Sequence, residues 1–472
     1  MIGHDPDRTY GAVVIGAGSG GLTAAIGLAS MGHHVVLVEA GDIGGDCTNV
    51  GCIPSKTLLH AARTSIADPL AHTRKRRDEL AHEEDELIRY HELIHLVRGW
   101  GSLTAPSEGP HVVRVTDGAT IHAIRAEHVV LSGGSQPVTI DIDGLDAART
   151  LTNEQLFELT DVPDSLLVVG GGAIAIEMAT AFAAIGSRVD IVELNDRLLA
   201  SEDPLITDEI ESALATHGVR LHLGTTVARV VGDVAHLADG SMVDGVDRVL
   251  MALGRRPRLD GLGLDQAGVE HTASGIVADG WGRTSVDGIW AIGDVTGNTA
   301  STHGAGAVGR RTVRAIAFPK LPKLGSMGAV PAAVYGSPEV ASVGRSLDEV
   351  SRIDERSRLR LVVRYSDIDR GFTDSIERGV LVLDVERFTG TIIRAAITGP
   401  GAADMIGMFT MAIDHGVGLR SLFDMVHPYP SHAEVLRQAA DDFARITYPS
   451  LPREWLAMAR GRVRRVRRIR RR

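Results

Sequence analysis

Cys47 and Cys52 are the only cysteines in 472 residues, and they share the stretch Gly44-Gly45-Asp46-Cys47-Thr48-Asn49-Val50-Gly51-Cys52-Ile53-Pro54-Ser55-Lys56. A chain of this length buries a large core without help from sulfur, so a lone pair of cysteines is not a structural staple. Four residues lie between the two thiols, a spacing that can close a small disulfide loop able to open and shut. Cys52 falls at the start of a helix running through Thr57-Leu58-Leu59. A helix N-terminus, with Lys56 nearby, favours the thiolate. The pair therefore reads as redox chemistry and not as two inert buried thiols. His91 and His95 stand four apart, the spacing of two metal ligands on one helical face, but no third ligand accompanies them and no metal site is assigned.

Two repeated units would have to position such a loop. Ala12-Val13-Val14-Ile15 reads as a strand, Gly16-Ala17-Gly18-Ser19-Gly20-Gly21 as a turn, Leu22 to Met31 as a helix, and Val35-Val36-Leu37-Val38 as a second strand ending in Glu39. About 154 residues later the pattern recurs. Leu166-Leu167-Val168-Val169 is the strand, Gly170-Gly171-Gly172-Ala173-Ile174-Ala175 the turn, Glu177 to Ile185 the helix, and Val189-Asp190-Ile191-Val192 the strand ending in Glu193. Glycines at such a turn let backbone approach a pyrophosphate, whose charge meets the positive end of the helix. Gly16, Gly18 and Gly21 fill these positions in the first copy, and Gly170, Gly172 and Ala175 in the second. A strand before, a helix after and an acid some 20 residues on make each copy a dinucleotide-binding unit. Glu39 and Glu193 suit a ribose diol. At Glu193 a carboxylate repels a 2′-phosphate, and Leu194-Asn195-Asp196 adds no cation, although Arg197 is near. NADH is expected over NADPH.

Around these units the chain is ordinary for a soluble protein: 44% of residues are hydrophobic and 23% charged. No apolar run reaches the ~18 residues of a membrane span, and Met1 to Arg8 lacks the apolar core of a signal peptide. A cytoplasmic protein is expected. Formal net charge is −11; removing the nine arginines of Arg460–Arg472 leaves −20 on the body, which argues against nucleic acid as its partner. Arg74 to Arg98 reads as an exposed amphipathic helix. Beyond Asp294, strand patterns recur at Val330 to Val343, Arg358 to Tyr365, Gly379 to Leu383 and Thr391 to Ile397. Helices follow at Ala402 to Gly416 and His432 to Ile446. The expected fold is α/β: two Rossmann-like domains and a C-terminal α+β domain. Boundaries are expected at 1–149 with 278–322, at 150–277 and at 323–449. A basic, solvated and disordered tail is expected over 450–472, the alternative being that it docks on anionic lipid or nucleic acid.

The motifs together resemble the class I pyridine nucleotide–disulfide oxidoreductases, the family of dihydrolipoamide dehydrogenase, glutathione reductase and mercuric reductase. The likeness covers roughly residues 10 to 447. It rests on the cysteine segment, on Val168 to Glu177, which is similar to GGGxIGxE, on Gly254-Arg255-Arg256-Pro257, and on Thr284 to Asp294. The resemblance implies FAD on the first glycine turn, with Glu39 on the adenosine ribose, Asp294 on the ribityl chain, and Gly133 and Lys56 as further contacts. It implies NAD(P)H on the second turn and at Gly254. It makes Cys52 the thiol facing the flavin and Cys47 the interchange thiol, pairs Lys56 with Glu177 beside the flavin, and makes the C-terminal domain the interface of a homodimer whose subunits share active sites.

One stretch departs from the pattern. The family's disulfide reductases carry HxHPTxSE, whose second His is the base for the interchange thiol and whose Glu orients it. This chain reads His427-Pro428-Tyr429-Pro430-Ser431-His432-Ala433-Glu434. Aligning Pro430, Ser431 and Glu434 places Tyr429 at the base position; the other register places His427 there and leaves His432 in place of Glu. Tyr titrates near ~10 and His near ~6.5, a gap of roughly 5 kcal/mol, so a tyrosine makes dithiol–disulfide exchange slow. Mercuric reductases resemble the chain here. They differ in a C-terminal cysteine pair and an N-terminal metal-binding domain, both lacking in this sequence. Asp46 and Thr48 also depart from the commoner Thr and Leu or Val. The expected function is electron transfer from NADH through FAD and the Cys47–Cys52 disulfide to a metal ion, a quinone or a disulfide. The alternatives are a dihydrolipoamide dehydrogenase, and a flavoprotein serving mainly as a binding component recruited by its tail.

Overall fold

The computed structural model describes residues 5, 8–106, 108–297, 301–320 and 327–447. The arginine tail lies outside them.

Thr9–Ile15 is a central strand because its β-branched, apolar run is buried on both faces, as interior parallel strands are. It pairs in parallel with Val35–Glu39 on one side and Thr120–Leu131 on the other. Along its other edge Thr120–Leu131 makes two further pairings. Its first half runs antiparallel to His111–Asp117, and its last three residues run parallel to Ile289–Ala291. That second pairing brings the segment before Asp294 back to the first glycine turn. The resulting sheet has seven strands. Helix Ser19–Ser30 packs on it and on helix Thr302–Ala317.

A second sheet repeats the logic with five parallel strands in the order Arg220–Leu223, Arg188–Glu193, Ser165–Val169, Arg248–Met251, Thr150–Leu151. Helix Ala173–Ala184 crosses between its two central strands. The C-terminal sheet is antiparallel, ordered Ala332–Val334, Val340–Gly344, Ile392–Thr398, Val380–Glu386, Arg358–Arg364. Helices Ala402–His415 and Glu434–Thr447 cover it, burying Phe409 and Phe443. Each such side chain contributes about 1.5–3 kcal/mol of burial. Two ion pairs, Arg394–Glu202 at 2.6 Å and Arg360–Asp203 at 2.7 Å, fasten this sheet to the second unit.

The expected helix over Arg74–Arg98 is corrected. Helix Pro69–Arg89 starts on Asp68, whose carboxylate accepts the Ala71 N–H at 2.9 Å, and it stops at Arg89. The alternating Ile94–Arg98 then pairs in parallel with Val35–Glu39 as an edge strand, so sheet pairing overrides helical periodicity there. His91 and His95 therefore share no helical face. His95 instead stacks on His34, with ring centroids 6.0 Å apart, and meets Tyr10 edge-on. Among the described residues no group of three His, Cys, Asp or Glu could hold a metal ion. No helix among them is long and apolar enough to cross a membrane.

Candidate redox site

The cysteine segment forms one short helix, Gly45–Asn49, and opens another, Cys52–Arg63. Asn49 holds the first in shape, its amide donating to the carbonyls of Ile43 and Gly45, each at 2.9 Å. Both cysteines are half-buried free thiols. The Cys47 thiol is pushed up, chiefly by its hydrogen bond to Cys52 and then by burial. Cys52 is pulled down to about 6, first by that bond from Cys47, against burial, with help from the Thr302 hydroxyl and the Lys56 ammonium. Thr302 Oγ1 lies 3.4 Å from Cys52 Sγ. The hydrogen bond between the sulfurs, with Thr302 and Lys56 beside Cys52, thus favours the thiolate on Cys52 over Cys47.

Lys56 sits one helical turn beyond Cys52, and its ammonium donates to both oxygens of Glu177 at 2.8 Å. Glu177 lies on helix Ala173–Ala184, is only 4% exposed, and also accepts the Tyr335 N–H at 3.1 Å. The Lys56 ammonium stands 4.6 Å over the Tyr335 ring. Cys47, Cys52, Lys56 and Glu177 thus lie together. Thr302, 250 residues from Cys52, joins them without any sequence signal. It opens helix Thr302–Ala317 and is recognised only through tertiary contact.

The two glycine turns lead into helices with open N-termini. At the first, a Cβ on Gly16 (φ +99°) would meet Ser132 O at 2.2 Å, and one on Gly21 would meet Gly16 O at 1.8 Å. Only glycine permits this approach. Gly18 and Gly172 are the N-cap residues of helices Ser19–Ser30 and Ala173–Ala184, and neither offers a side-chain cap. A Cβ on Gly18 would find nothing nearer than 3.9 Å, and one on Gly172 nothing within 4 Å. Uncapped amides facing open space at a positive helix end are what a pyrophosphate requires. Ala175 is fully buried against the core, so it supplies packing in the second copy. Glu39 caps its own turn, accepting from Ala17 N at 2.6 Å and Gly41 N at 2.7 Å. Glu193 accepts from Asn195 N at 2.8 Å. Gly254 (φ +94°) follows the strand beside the second turn and is open, whereas Gly133 lies beyond Leu131 near Arg258 O. Asp294 occupies the one-turn helix Gly293–Thr296 and accepts a 2.6 Å hydrogen bond from Ser135.

The C-terminal residues form a separate group. Tyr429 is 71% exposed and donates to Asp369 Oδ2 at 2.8 Å, which pushes its hydroxyl further above its ordinary range. His432 pairs with Asp374 at 3.2 Å. His427 is half-buried, its Nε2 has no hydrogen-bond partner among the described residues, and burial holds its pKa down. Glu434 is 1% exposed. Neither of its oxygens has a hydrogen-bond partner among the described residues, and Arg437 approaches one at 3.5 Å.

Residues 10–309 match the model of the pyridine nucleotide-disulphide oxidoreductase family, and residues 330–440 match the dimerisation domain of that family. The chain belongs to the pyridine nucleotide-disulphide oxidoreductases. It is an enzyme of a family that uses FAD and NAD(P)H, and the open, uncapped helix N-termini fit two dinucleotides. Among relatives within this oxidoreductase family, the mercuric reductase of Streptomyces lividans is 33% identical over 461 residues, covering 92% of this chain and 96% of that protein. Dihydrolipoyl dehydrogenase 3 of Pseudomonas putida is 30% identical over 461 residues, covering 92% and 98%. The solved Cu(II) complex of the HOCl-induced flavoprotein disulfide reductase RclA from Escherichia coli superposes with a TM-score of 0.83 at 28% identity, covering 92% of this oxidoreductase and 99% of that chain.

Proposed function

We propose that this oxidoreductase passes electrons from NADH through the Cys47–Cys52 pair to an acceptor that needs no proton base from the protein: a soft metal ion such as Hg(II) or Cu(II), or a quinone. The observation that carries this reading is Tyr429. In the register that aligns Pro430, Ser431 and Glu434 it takes the family's base position, and its hydroxyl is already donated to Asp369 at 2.8 Å. A hydroxyl that is donating, with its pKa raised, cannot take a proton from a thiol near neutral pH. Glu434, the residue that would orient a histidine base, has no hydrogen-bond partner among the described residues. A soft ion binds thiolate sulfur strongly, and the thiolate that the pair favours at Cys52 lies next to Cys47, so its capture needs no such base. The likeness to a mercuric reductase and to a protein solved with Cu(II) supports the same class of acceptor.

The residue roles follow from the site. Bound FAD supplies the two-electron carrier between nicotinamide and sulfur. Gly16, Gly18, Gly21, Glu39, Gly133, Lys56 and Asp294 would hold it, and Gly170, Gly172, Ala175, Glu193 and Gly254 would hold NADH. Cys52 supplies the thiolate on the flavin side, and Cys47 is the thiol that meets the acceptor. Lys56, fixed by Glu177, keeps a positive charge beside Cys52. The chain divides at 1–149 with 278–322, 150–277 and 323–449, and the last unit pairs two copies so that exposed Tyr429 faces the partner's dithiol while Glu434 stays buried in its own subunit. Dihydrolipoamide oxidation is the second reading, favoured by the relative of that name.

The test is an NADH-oxidation screen over lipoamide, glutathione disulfide, Hg(II), Cu(II) and quinones, with the unaltered protein and Tyr429→His. The metal ions or quinones should be the faster acceptors, and Tyr429→His should raise disulfide turnover about 10²-fold or more, the usual contribution of a general base. Rapid lipoamide turnover by the unaltered protein would overturn the reading.

A further inference from the structure

Asp46 stands where Thr is commoner, immediately before Cys47, and its carboxylate is ion-paired with the Arg255 guanidinium. An exposed pair of this kind is worth only about 0–1 kcal/mol. This one has more partners than a surface pair. Arg255 Nε donates to Ser135 Oγ at 2.8 Å, Nη1 to Asn153 Oδ1 at 3.1 Å, and Nη2 to Ser135 O at 3.1 Å as well as to Asp46. Its root is fixed too, because Arg255–Pro257 pairs antiparallel with Ser135–Pro137. A planar fork with several donors engaged has little freedom left.

The network grips the cysteine loop at two points. Asp46 precedes Cys47 directly. Asn153, already bonded to Arg255, donates its amide to Val50 O at 2.9 Å, two residues before Cys52. A third arm leads to Asp294, which accepts a 2.6 Å hydrogen bond from the same Ser135 hydroxyl. Arg255 follows Gly254, so one side chain connects the dithiol loop, the Asp294 turn and the end of the second parallel sheet.

We infer that Asp46 and Arg255 are positioning residues that clamp the Cys47–Cys52 loop, holding the two sulfurs in register through oxidation and reduction. The inference rests on the reading of these cysteines as the redox pair. A loop pinned before each cysteine loses less chain freedom when its disulfide closes. Releasing the clamp therefore weakens the disulfide relative to the dithiol.

The experiment equilibrates the full-length, flavin-loaded protein against glutathione. Two thiols give two electrons to glutathione disulfide, the intramolecular S–S bond forms, and two molecules of glutathione leave with the protons. The oxidised fraction is read by alkylation and mass, independently of turnover. Asp46→Asn and Arg255→Gln should each lower the equilibrium constant about tenfold, which is about 30 mV for a two-electron couple. The double variant should fall no further than either single one, as coupled residues do. Asp46→Glu should stay within about threefold of the unaltered protein by preserving the charge pair. Should Arg255→Gln fail to fold, the contrast between Asn and Glu at position 46 decides alone. Silent single variants, effects that multiply in the double variant, or a Glu variant as impaired as the Asn variant would overturn the clamp. If the unaltered protein forms no intramolecular disulfide, the redox-pair reading falls and the clamp with it.

Discussion

The hydroxyl of Thr302 lies 3.4 Å from the sulfur of Cys52, joining the first turn of helix Thr302–Ala317 to the first residue of helix Cys52–Arg63. Together with Cys47 and Lys56 it helps hold Cys52 at about 6. Below that pH Cys52 is protonated and unreactive; above it the thiolate dominates, so alkylation of the dithiol form at Cys52 should rise with pH through about 6. A hydrogen bond to a charged group is worth about 1.5–3 kcal/mol. Thr302→Ala should move the midpoint up by about one unit, while Thr302→Ser leaves it in place. Alkylation by iodoacetamide, mapped by mass at several pH values, checks this, and an unchanged midpoint in the alanine variant would remove Thr302 from the site.

Glu177 is buried, and Lys56 neutralises it from a side that stays partly open to solvent. Removing the ammonium leaves a carboxylate with the Tyr335 N–H as its remaining donor among the described residues. A fully buried charge left unpaired costs about 3–5 kcal/mol. Solvent access at Lys56 lowers that figure, and Lys56→Met should cost about 2 kcal/mol in denaturant unfolding. Lys56→Met combined with Glu177→Gln should recover part of the loss.

The two glycine turns separate packing from binding. Gly21→Ala places a methyl 1.8 Å from Gly16 O, and the fold must shift to admit it. This variant should lose both thermal stability and flavin. Gly172→Ala meets nothing within 4 Å. Its Tm should stay within about 2 °C of the unaltered protein, an effect below ~1 kcal/mol, while KM for NADH rises several-fold because the methyl occupies the space facing the helix amides. Thermal melts and NADH-dependent flavin bleaching distinguish the two outcomes.

The elements that read clearly in the sequence are those with local causes. Thr9–Ile15 and Ser165–Val169 are short β-branched runs, each closed by a glycine turn, and each appears within a few residues of its expected place. The cysteine segment carries its own helix start, so Cys52 at a helix N-terminus was legible. Ile94–Arg98 was not. Its Ile94 and Leu96 continue the apolar spacing of the charged helix before it, and only pairing with Val35–Glu39 makes it a strand. Thr302 and the Asp46–Arg255 network were hidden for the same reason. Their partners lie 250 and 209 residues away, and no local pattern encodes such contacts. Tyr429 was visible as a departure from a family pattern, but its bond to Asp369 required the fold.

If Cys47 and Cys52 carry the electrons, the transfer can be counted, since the chain has two cysteines and no others. The most direct measurement is an anaerobic thiol titration of the air-oxidised, flavin-loaded protein under denaturing conditions, before and after one equivalent of NADH per chain. Thiols should rise from none to two per chain, with no rise in Cys52→Ser. A thiol count that NADH leaves unchanged, while the flavin is reduced, would contradict electron transfer through this pair.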